Sequence, residues 1–231
     1  MQEAAGLKPM FPTRRIEPEL LDHADPVEAR LNLADLVRIN QRFGGHSVIR
    51  RLMAAAAPQN QPFTLLDVGA ASGDVARLIQ VLYPLARVTS LDLHPVNLEA
   101  APRPKLIADA FRLPFCENSF DFVLASLLLH HFPDEQVVEL LRNFYRIARR
   151  ALLISDLERH LLPYLFLPAT RYFFGWRRIT LHDGPISVRA AFRKDELLAL
   201  SERAGLNQVQ VAVHRPAFRI SLIAKKAPIE F

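Results

Sequence analysis

Apolar residues follow two rhythms along the chain. Recurrence every three to four positions marks helices, and short apolar runs between turn residues mark buried strands. Asp25-Pro26-Val27-Glu28 opens the first clear helix. Asp is a good N-cap, Pro suits the first helical position, and Glu follows three residues after the cap. Leu33, Leu36, Val37 and Asn40 then recur at helical spacing, and Gly44-Gly45 is a natural stop. Asn40 therefore rides on the stripe that should be dry. A second helix is expected over 46–57, ahead of Pro58.

From there strands and helices alternate. Strands are expected over 63–68, 88–93, 105–108, 120–126 and 151–155. Helices are expected over 74–83 and 134–149, with a short one from Pro95. The 134–149 helix places Val137, Leu140, Leu141, Phe144 and Ala148 on one face. After a helix over 194–204, strands 208–213 and 218–225 are separated only by 214–217, which suits an antiparallel hairpin. This order predicts an α/β fold: a doubly wound, seven-stranded mixed sheet with helices on both faces. Residues 1–24 lack a period and read as a mobile or loosely packed arm. With the first two helices they make an N-terminal arm and helical cap, 1–57, ahead of a main domain, 58–231. Residues 159–191 break the rhythm with aromatics, prolines and arginines, and read as a lid-like insertion over the sheet's edge.

Composition narrows the class without naming a function. Half of the 231 residues are hydrophobic and 23% are charged, which fits a globular domain with its own core. One cysteine, Cys116, excludes an internal disulfide and fits a cytoplasmic chain with an inert thiol. Residues 1–11 lack the apolar core of a signal peptide, and the longest apolar run, 161–170, is too short to span a bilayer. The net charge of +5 is spread along the chain and demands no acidic partner. Arg142, Arg146, Arg149 and Arg150 form a stripe opposite the apolar face of their helix, which reads as a solvated face or a surface for an acidic partner.

The chemistry is expected in the turn after the first strand. Gly69-Ala70-Ala71-Ser72-Gly73 joins a buried strand to a helix. Small residues let the backbone approach a ligand, and the helix start offers free N–H groups. In open α/β sheets, ligands bind beyond the carboxyl ends of the strands. Asp92 ends the next strand, where a carboxylate can hold both ribose hydroxyls, and Asp109 ends the third, within reach of an adenine amino group. A dinucleotide would want G-x-G-x-x-G, but Ala71 stands at the second glycine and would obstruct a pyrophosphate. Asp67, inside the first strand's end, suits a positively charged ligand instead. An oxidoreductase is thus disfavoured.

DVGAASGD, the LDL around Asp92, ADA around Asp109 and SFDFVLASLLLHHF resemble the motifs of class I S-adenosylmethionine-dependent methyltransferases, over about residues 60–225. RINQRFGG, SDLER and HDGPISVRAAF look like bacterial small-molecule methyltransferases of phenols and polyketides. Two departures stand out: Ala71 replaces the middle glycine of the usual D-x-G-x-G-x-G, and Arg149-Arg150 replaces the usual Pro-Gly-Gly before the fifth strand. The resemblance implies a Rossmann-like methyltransferase fold and S-adenosylmethionine as cofactor. It implies that Gly69, Ala70, Ala71 and Gly73 cradle the methionine part, that Asp92 holds the ribose with Leu93 against the adenine, and that Asp109 and the Ala110 amide read the adenine edge. Asp67 and Ser126 join the cofactor group. Arg38 and Asn40 would reach the methionine carboxylate, although a buried Asn bonded to backbone explains Asn40 equally.

A phenol must lose a proton of pKa about 10 to accept a methyl group, and a histidine is the natural base near neutral pH. His130-His131 follows the fourth strand and Asp156 the fifth, so His130 and Asp156 are the expected base and its partner. The alternatives are that either His caps the next helix or packs in the core, or that Asp156 bonds Arg159 or Arg189. His182-Asp183 is a second candidate, or a structural pair. Leu161, Leu162, Tyr164, Phe166, Tyr172, Phe173, Phe174 and Trp176 line a lid, pack as core or face a dimer partner; Arg171, Arg177 and Arg178 give the segment a lesser membrane-surface reading. The sequence lacks N-P-P-[YF] and a Pro-Cys nucleophile, which speaks against a nucleic-acid substrate. No Cys or His cluster has metal-ligand spacing, so no metal is expected. The expected activity is methylation of a small, largely apolar hydroxyl acceptor. Carbon or nitrogen methylation, and a non-catalytic cofactor-binding partner of a biosynthetic complex, remain as alternatives.

Overall fold

A computed structural model describes residues 11–227, so positions 1–10 of the expected arm and 228–231 lie outside the described residues. The strands are β1 (Phe63–Val68), β2 (Ala86–Asp92), β3 (Lys105–Ile107), β4 (Phe120–Ser126), β5 (Ala148–Leu157), β6 (Val209–His214) and β7 (Arg219–Lys225). They form one seven-stranded sheet in the order β3-β2-β1-β4-β5-β7-β6. β1 pairs parallel with β2 and β4, β2 with β3, and β4 with β5, while β7 runs antiparallel to β5 and β6. The expected mixed sheet with its terminal hairpin is therefore present. Strand order reverses at β1, so the loops leaving β1 and β4 diverge and open a crevice.

The helices are α1 (Pro26–Arg42), α2 (Gly45–Ala56), α3 (Asp74–Leu82), α4 (Asp134–Ile147), α5 (Leu161–Phe174), α6 (Arg178–Ala190) and α7 (Lys194–Arg203). Successive strand residues point to opposite faces. Leu65, Phe122, Leu124 and Leu153 meet α2 and α3 on one face. Leu66, Val123, Ala125 and Leu152 meet α4 and α7 on the other. α2 is therefore a layer helix of the sheet: Val48, Ile49, Leu52 and Met53 are buried in its core. α1 starts as its sequence requires, with Asp25 accepting bonds from the Val27 and Glu28 amides.

Two segments differ from expectation. α4 stops at Ile147 and β5 begins at once at Ala148, because Arg149 and Arg150 both reach Asp121 on β4, at 2.6 and 3.1 Å. These two arginines belong to no solvated helix stripe; they anchor a strand. The stretch from Pro95 forms successive turns rather than a helix, with prolines at 95, 102 and 104 interrupting it. Residues 159–191, where the sequence rhythm breaks, are helical: α5 and α6 pack on each other and, through α6, on α1.

The arm is the largest departure. From Phe11 on it is tied down. The Leu20 and Leu21 amides donate to Asp183, and Arg14 bonds Asp134 and the carbonyls of Ala190 and Phe132. Arg159, whose side chain is fully buried, holds the carbonyl of Phe11 at 3.0 Å and that of Ala191 at 2.6 Å, and pairs with Glu196.

Candidate active site

Two cavities meet at the carboxyl ends of β1, β2 and β4. The first, about 810 Å³, runs along the β1–α3 turn. In that turn Gly69, Ala71 and Gly73 all take positive φ, at 70°, 47° and 72°. Ala71 thus adopts a backbone that glycine takes more easily, at a cost of roughly 1–2 kcal/mol. Its amide donates to Asp92 Oδ2 at 3.0 Å.

The cavity wall is acidic. Asp67, Asp74 and Asp92 line it, with Asp109, Ala110, Leu93, Ser126 and Asn40. Asp67 is 1% exposed and its Oδ2 has no hydrogen-bond partner. Burial, then the nearby Asp74 and Asp92 carboxylates, hold the Asp67 carboxyl well above its usual range. A ligand cation satisfies both the orphaned acceptor and the crowded charge. Asp92 accepts from the Ala71 and His94 amides and from Asn97. A carboxylate has about four acceptor sites, so one stays free for a ribose hydroxyl without rearrangement. Asp109 accepts from the Phe111 amide, which fixes the turn bordering the cavity.

Asn40 and Arg38 part company. Asn40 is buried between Asp74, to which it donates, and Arg219, from which it accepts at 3.0 Å. Arg38 does not line the cavity: its guanidinium bonds Asp35 and the Phe174 carbonyl and lies over Trp176. It sits off the inward stripe of α1, so it meets the insertion instead.

The second cavity, about 730 Å³, lies under α5 and α6 and contains the histidine. His130 Nδ1 is 2.7 Å from Asp156 Oδ1, with both side chains buried. Asp156 also accepts from the backbone amides of Leu129, His130 and Leu157, so four donors fix it. Arg159 and Arg189 pair elsewhere, with Glu196 and Glu17. Burial opposes the His130 imidazolium, but the Asp156 carboxylate outweighs it and holds this His above its ordinary value. The same pairing overcomes burial to keep the Asp156 carboxyl below its usual range. His131 lines both cavities and is pushed down to about 3 by burial and by its neighbour His130.

His182 stands apart. It lines neither cavity, its side chain is 47% exposed, and its Nδ1 contacts Asp183 at 2.8 Å. Asp183 in turn holds the Leu20 and Leu21 amides, so this pair anchors the arm. Of the expected lid residues, Leu162 and Phe166 face the second cavity. Phe174 and Trp176 stack and pack on Phe43, while Tyr172 and Phe173 are more than four-fifths exposed.

The sequence did not single out Glu19. The arm carries it to Oε1 distances of 3.9 Å from His130 Nε2 and 3.8 Å from His131 Nδ1, and it accepts from Ser187. These three side chains are the described group whose ligand atoms lie close enough, within 4.8 Å, to share a cation. Spacing along the sequence could not reveal this cluster, because Glu19 comes from a segment with no period.

The strand order with its switch at β1, the antiparallel β5-β7-β6 end and the motif-bearing turn define a class. Residues 66–152 match the family described as "Methyltransferase domain". Over residues 66–152 the chain is thus similar to the methyltransferase family, and its sheet has the Rossmann-like fold of S-adenosylmethionine-dependent methyltransferases.

Named relatives refine this picture. Demethylmenaquinone methyltransferase of Thermotoga maritima is 31% identical over 146 residues, covering 61% of this chain and 60% of that protein. O-methyltransferase pgmB of Aspergillus terreus is 38% identical over 92 residues, 34% of this chain and 26% of that protein. The structure of mitomycin 7-O-methyltransferase MmcR superposes with a TM-score of 0.64 at 23% identity, covering 90% of this chain and 60% of that one. The chain thus spans less than two thirds of the length of each. Among the described residues no helix is long and apolar enough to cross a membrane.

The acidic first cavity has a measurable consequence. The Asp67 carboxyl, held well above its usual range by burial and the neighbouring acids, is expected to shift back down beside a ligand ammonium. Binding of S-adenosylhomocysteine should therefore release protons, up to one per chain. Calorimetry in buffers of different ionisation enthalpy reads this release directly. Asp67→Asn should abolish it and weaken binding; unchanged release in that variant would remove Asp67 from the cofactor site.

Proposed function

We propose that this protein transfers a methyl group from S-adenosylmethionine to a hydroxyl, most simply a phenol, of a small and largely apolar acceptor. The chemistry the cofactor supplies when bound is an electrophilic methyl group on a sulfonium. In this reading Asp67 and Asp92 hold its ammonium and ribose, and the β1–α3 turn lies along its methionine part. The acceptor occupies the second cavity. His130 Nε2 takes the hydroxyl proton, while Asp156 fixes the tautomer through Nδ1 and stabilises the cation that forms. The apolar walls, Phe166 and Leu167 among them, exclude water and position the acceptor. The observation that carries this reading is the buried His130–Asp156 pair at 2.7 Å, beside the wall that the two cavities share.

Carbon methylation is the second reading, and the similarity to a demethylmenaquinone methyltransferase favours it. A base at His130 would then deprotonate a ring hydroxyl, a ring carbon would take the methyl group as its bond to sulfur breaks, and that carbon's proton would leave to restore the aromatic ring. The protein is expected to act on a small molecule rather than a nucleic acid, in the cytoplasm.

Incubating the protein with phenols and a cofactor labelled on its methyl group separates these readings. Mass spectrometry and carbon NMR of the products locate the label. An O-methyl product lost in His130→Ala supports the first reading; a ring-methyl product supports the second. Full activity in a folded His130→Ala variant would sink the base assignment in both.

A further inference from the structure

Arg219 opens β7 opposite Leu157 and lines the acceptor cavity. It is 4% exposed. Its Nη2 donates to Asn40 Oδ1 at 3.0 Å, and its Nη1 has no partner. Among the described residues no carboxylate lies within salt-bridge distance of it. Asp156 and Asp74 act on it only through space. Burial pushes its guanidinium down to about 10, so it remains charged at neutral pH. A buried cation with neither an ion pair nor a full set of acceptors is costly, and in native proteins such a group calls for an explanation.

Basic side chains outnumber acids along this cavity's lining. Arg42, Arg51 and Arg215 also line this cavity, against the single acid Glu19, which faces the histidines. Arg215 is neutralised by Glu158 at 2.6 Å, whereas neither Arg42 nor Arg51 has an ion pair among the described residues. Leu162, Phe166 and Leu167 supply the apolar wall. Arg219 is close enough to His130 for its charge to oppose the imidazolium.

We propose that the acceptor is a hydroxy acid: an apolar body whose carboxylate is received by Arg219 while its hydroxyl faces His130. This rests on the methyltransferase reading and names the substrate class of that site. A guanidinium receives a planar carboxylate through two parallel bonds, and Nη1 is the donor still available for one of them. The hydroxyl and the carboxylate are then recognised by different groups, which orients the acceptor. The other carboxylate that this cation could receive is that of the cofactor's methionine, since Asn40 borders both cavities.

The test is calorimetric titration of the full chain with a hydroxynaphthoic acid and its neutral carboxamide, each with and without saturating S-adenosylhomocysteine. The wild type should bind the acid about ten-fold or more tightly than the amide, the scale of one charge-assisted hydrogen bond. Arg219→Gln should abolish that preference and leave S-adenosylhomocysteine affinity within about two-fold, and Arg219→Lys should retain part of the preference. Equal or absent binding of acid and amide by the wild type overturns the proposal. So does an Arg219→Gln variant that keeps the preference but loses affinity for S-adenosylhomocysteine, which would assign Arg219 to the methionine carboxylate. Should neither variant fold, the wild-type acid-to-amide ratio decides alone. A wild type that ignores S-adenosylhomocysteine but prefers the acid overturns the methyltransferase reading while sustaining the anion receptor.

Discussion

Asp156→Asn should lower methyl transfer to a hydroxyl acceptor by roughly 10²–10⁴-fold. Asp156 accepts four hydrogen bonds, one of them from the His130 ring. An amide keeps one oxygen and presents an N–H₂ to the remaining donors. The imidazole then loses its tautomer lock, and its cation loses the adjacent charge. The pH profile distinguishes this from simple unfolding. A base works only when neutral, so wild-type kcat/KM should rise with pH through the value of His130, which Asp156 holds above the ordinary 6.5. In Asp156→Asn that limb should move to lower pH, because burial still disfavours the imidazolium and nothing offsets it. A limb that stays in place would place the titrating base elsewhere.

The same pair shapes stability against pH. His130 is raised on folding, so its contribution is full below its unfolded value and is lost as pH rises through its folded one. Asp156 is lowered, so its contribution is full above its unfolded value and is lost as pH falls through its folded one. The pair titrates as a unit and stabilises most between those two limits.

Arg159→Met should destabilise the fold by about 3 kcal/mol, near the lower end of what losing one partner of a buried pair costs. For a domain of this size that lowers the Tm by roughly 6–12 °C. Arg159 is fully buried, whereas Glu196 retains 27% exposure and can hydrate, which keeps the loss from being larger. The variant leaves Glu196 without its cation and the Ala191 carbonyl without its side-chain donor, and leaves the Phe11 carbonyl held by Arg193 alone. Those carbonyls belong to the arm and to the end of the insertion, so the loss should spread to the segment that carries Glu19. Thermal unfolding measures the first effect, and hydrogen exchange at Leu20 and Leu21 the second. A Tm within about 2 °C of wild type would show that Arg159 does not bind these segments together.

The sheet and its turn were legible because local rules govern them. Apolar runs around Leu65, Val123 and Leu153 could only be buried strands, and Asp25-Pro26 dictates a helix start wherever it falls. The His130–Asp156 pair was legible for a topological reason: adjacent parallel strands deliver their terminal residues to one edge. The arm was not legible. Arg14 and Glu19 are held by partners more than a hundred positions away, through bonds to carbonyls, Asp134 and Ser187 that leave no period. His182 misled because a His-Asp dipeptide looks the same whether it serves chemistry or, as here, ties down two backbone amides. Arg149 misled because its helix ends two residues earlier, where the Asp121 ion pair overrides helical spacing.

Leu21, Leu36, Asn40, Leu127 and His131 each face both cavities. Two occupants that press on the same side chains cannot bind independently. By thermodynamic linkage, whatever factor cofactor binding applies to the acceptor's affinity, the acceptor applies to the cofactor's. A substitution in this wall that alters one dissociation constant is therefore expected to alter the other. The coupling between acceptor and cofactor is one quantity measured from two sides.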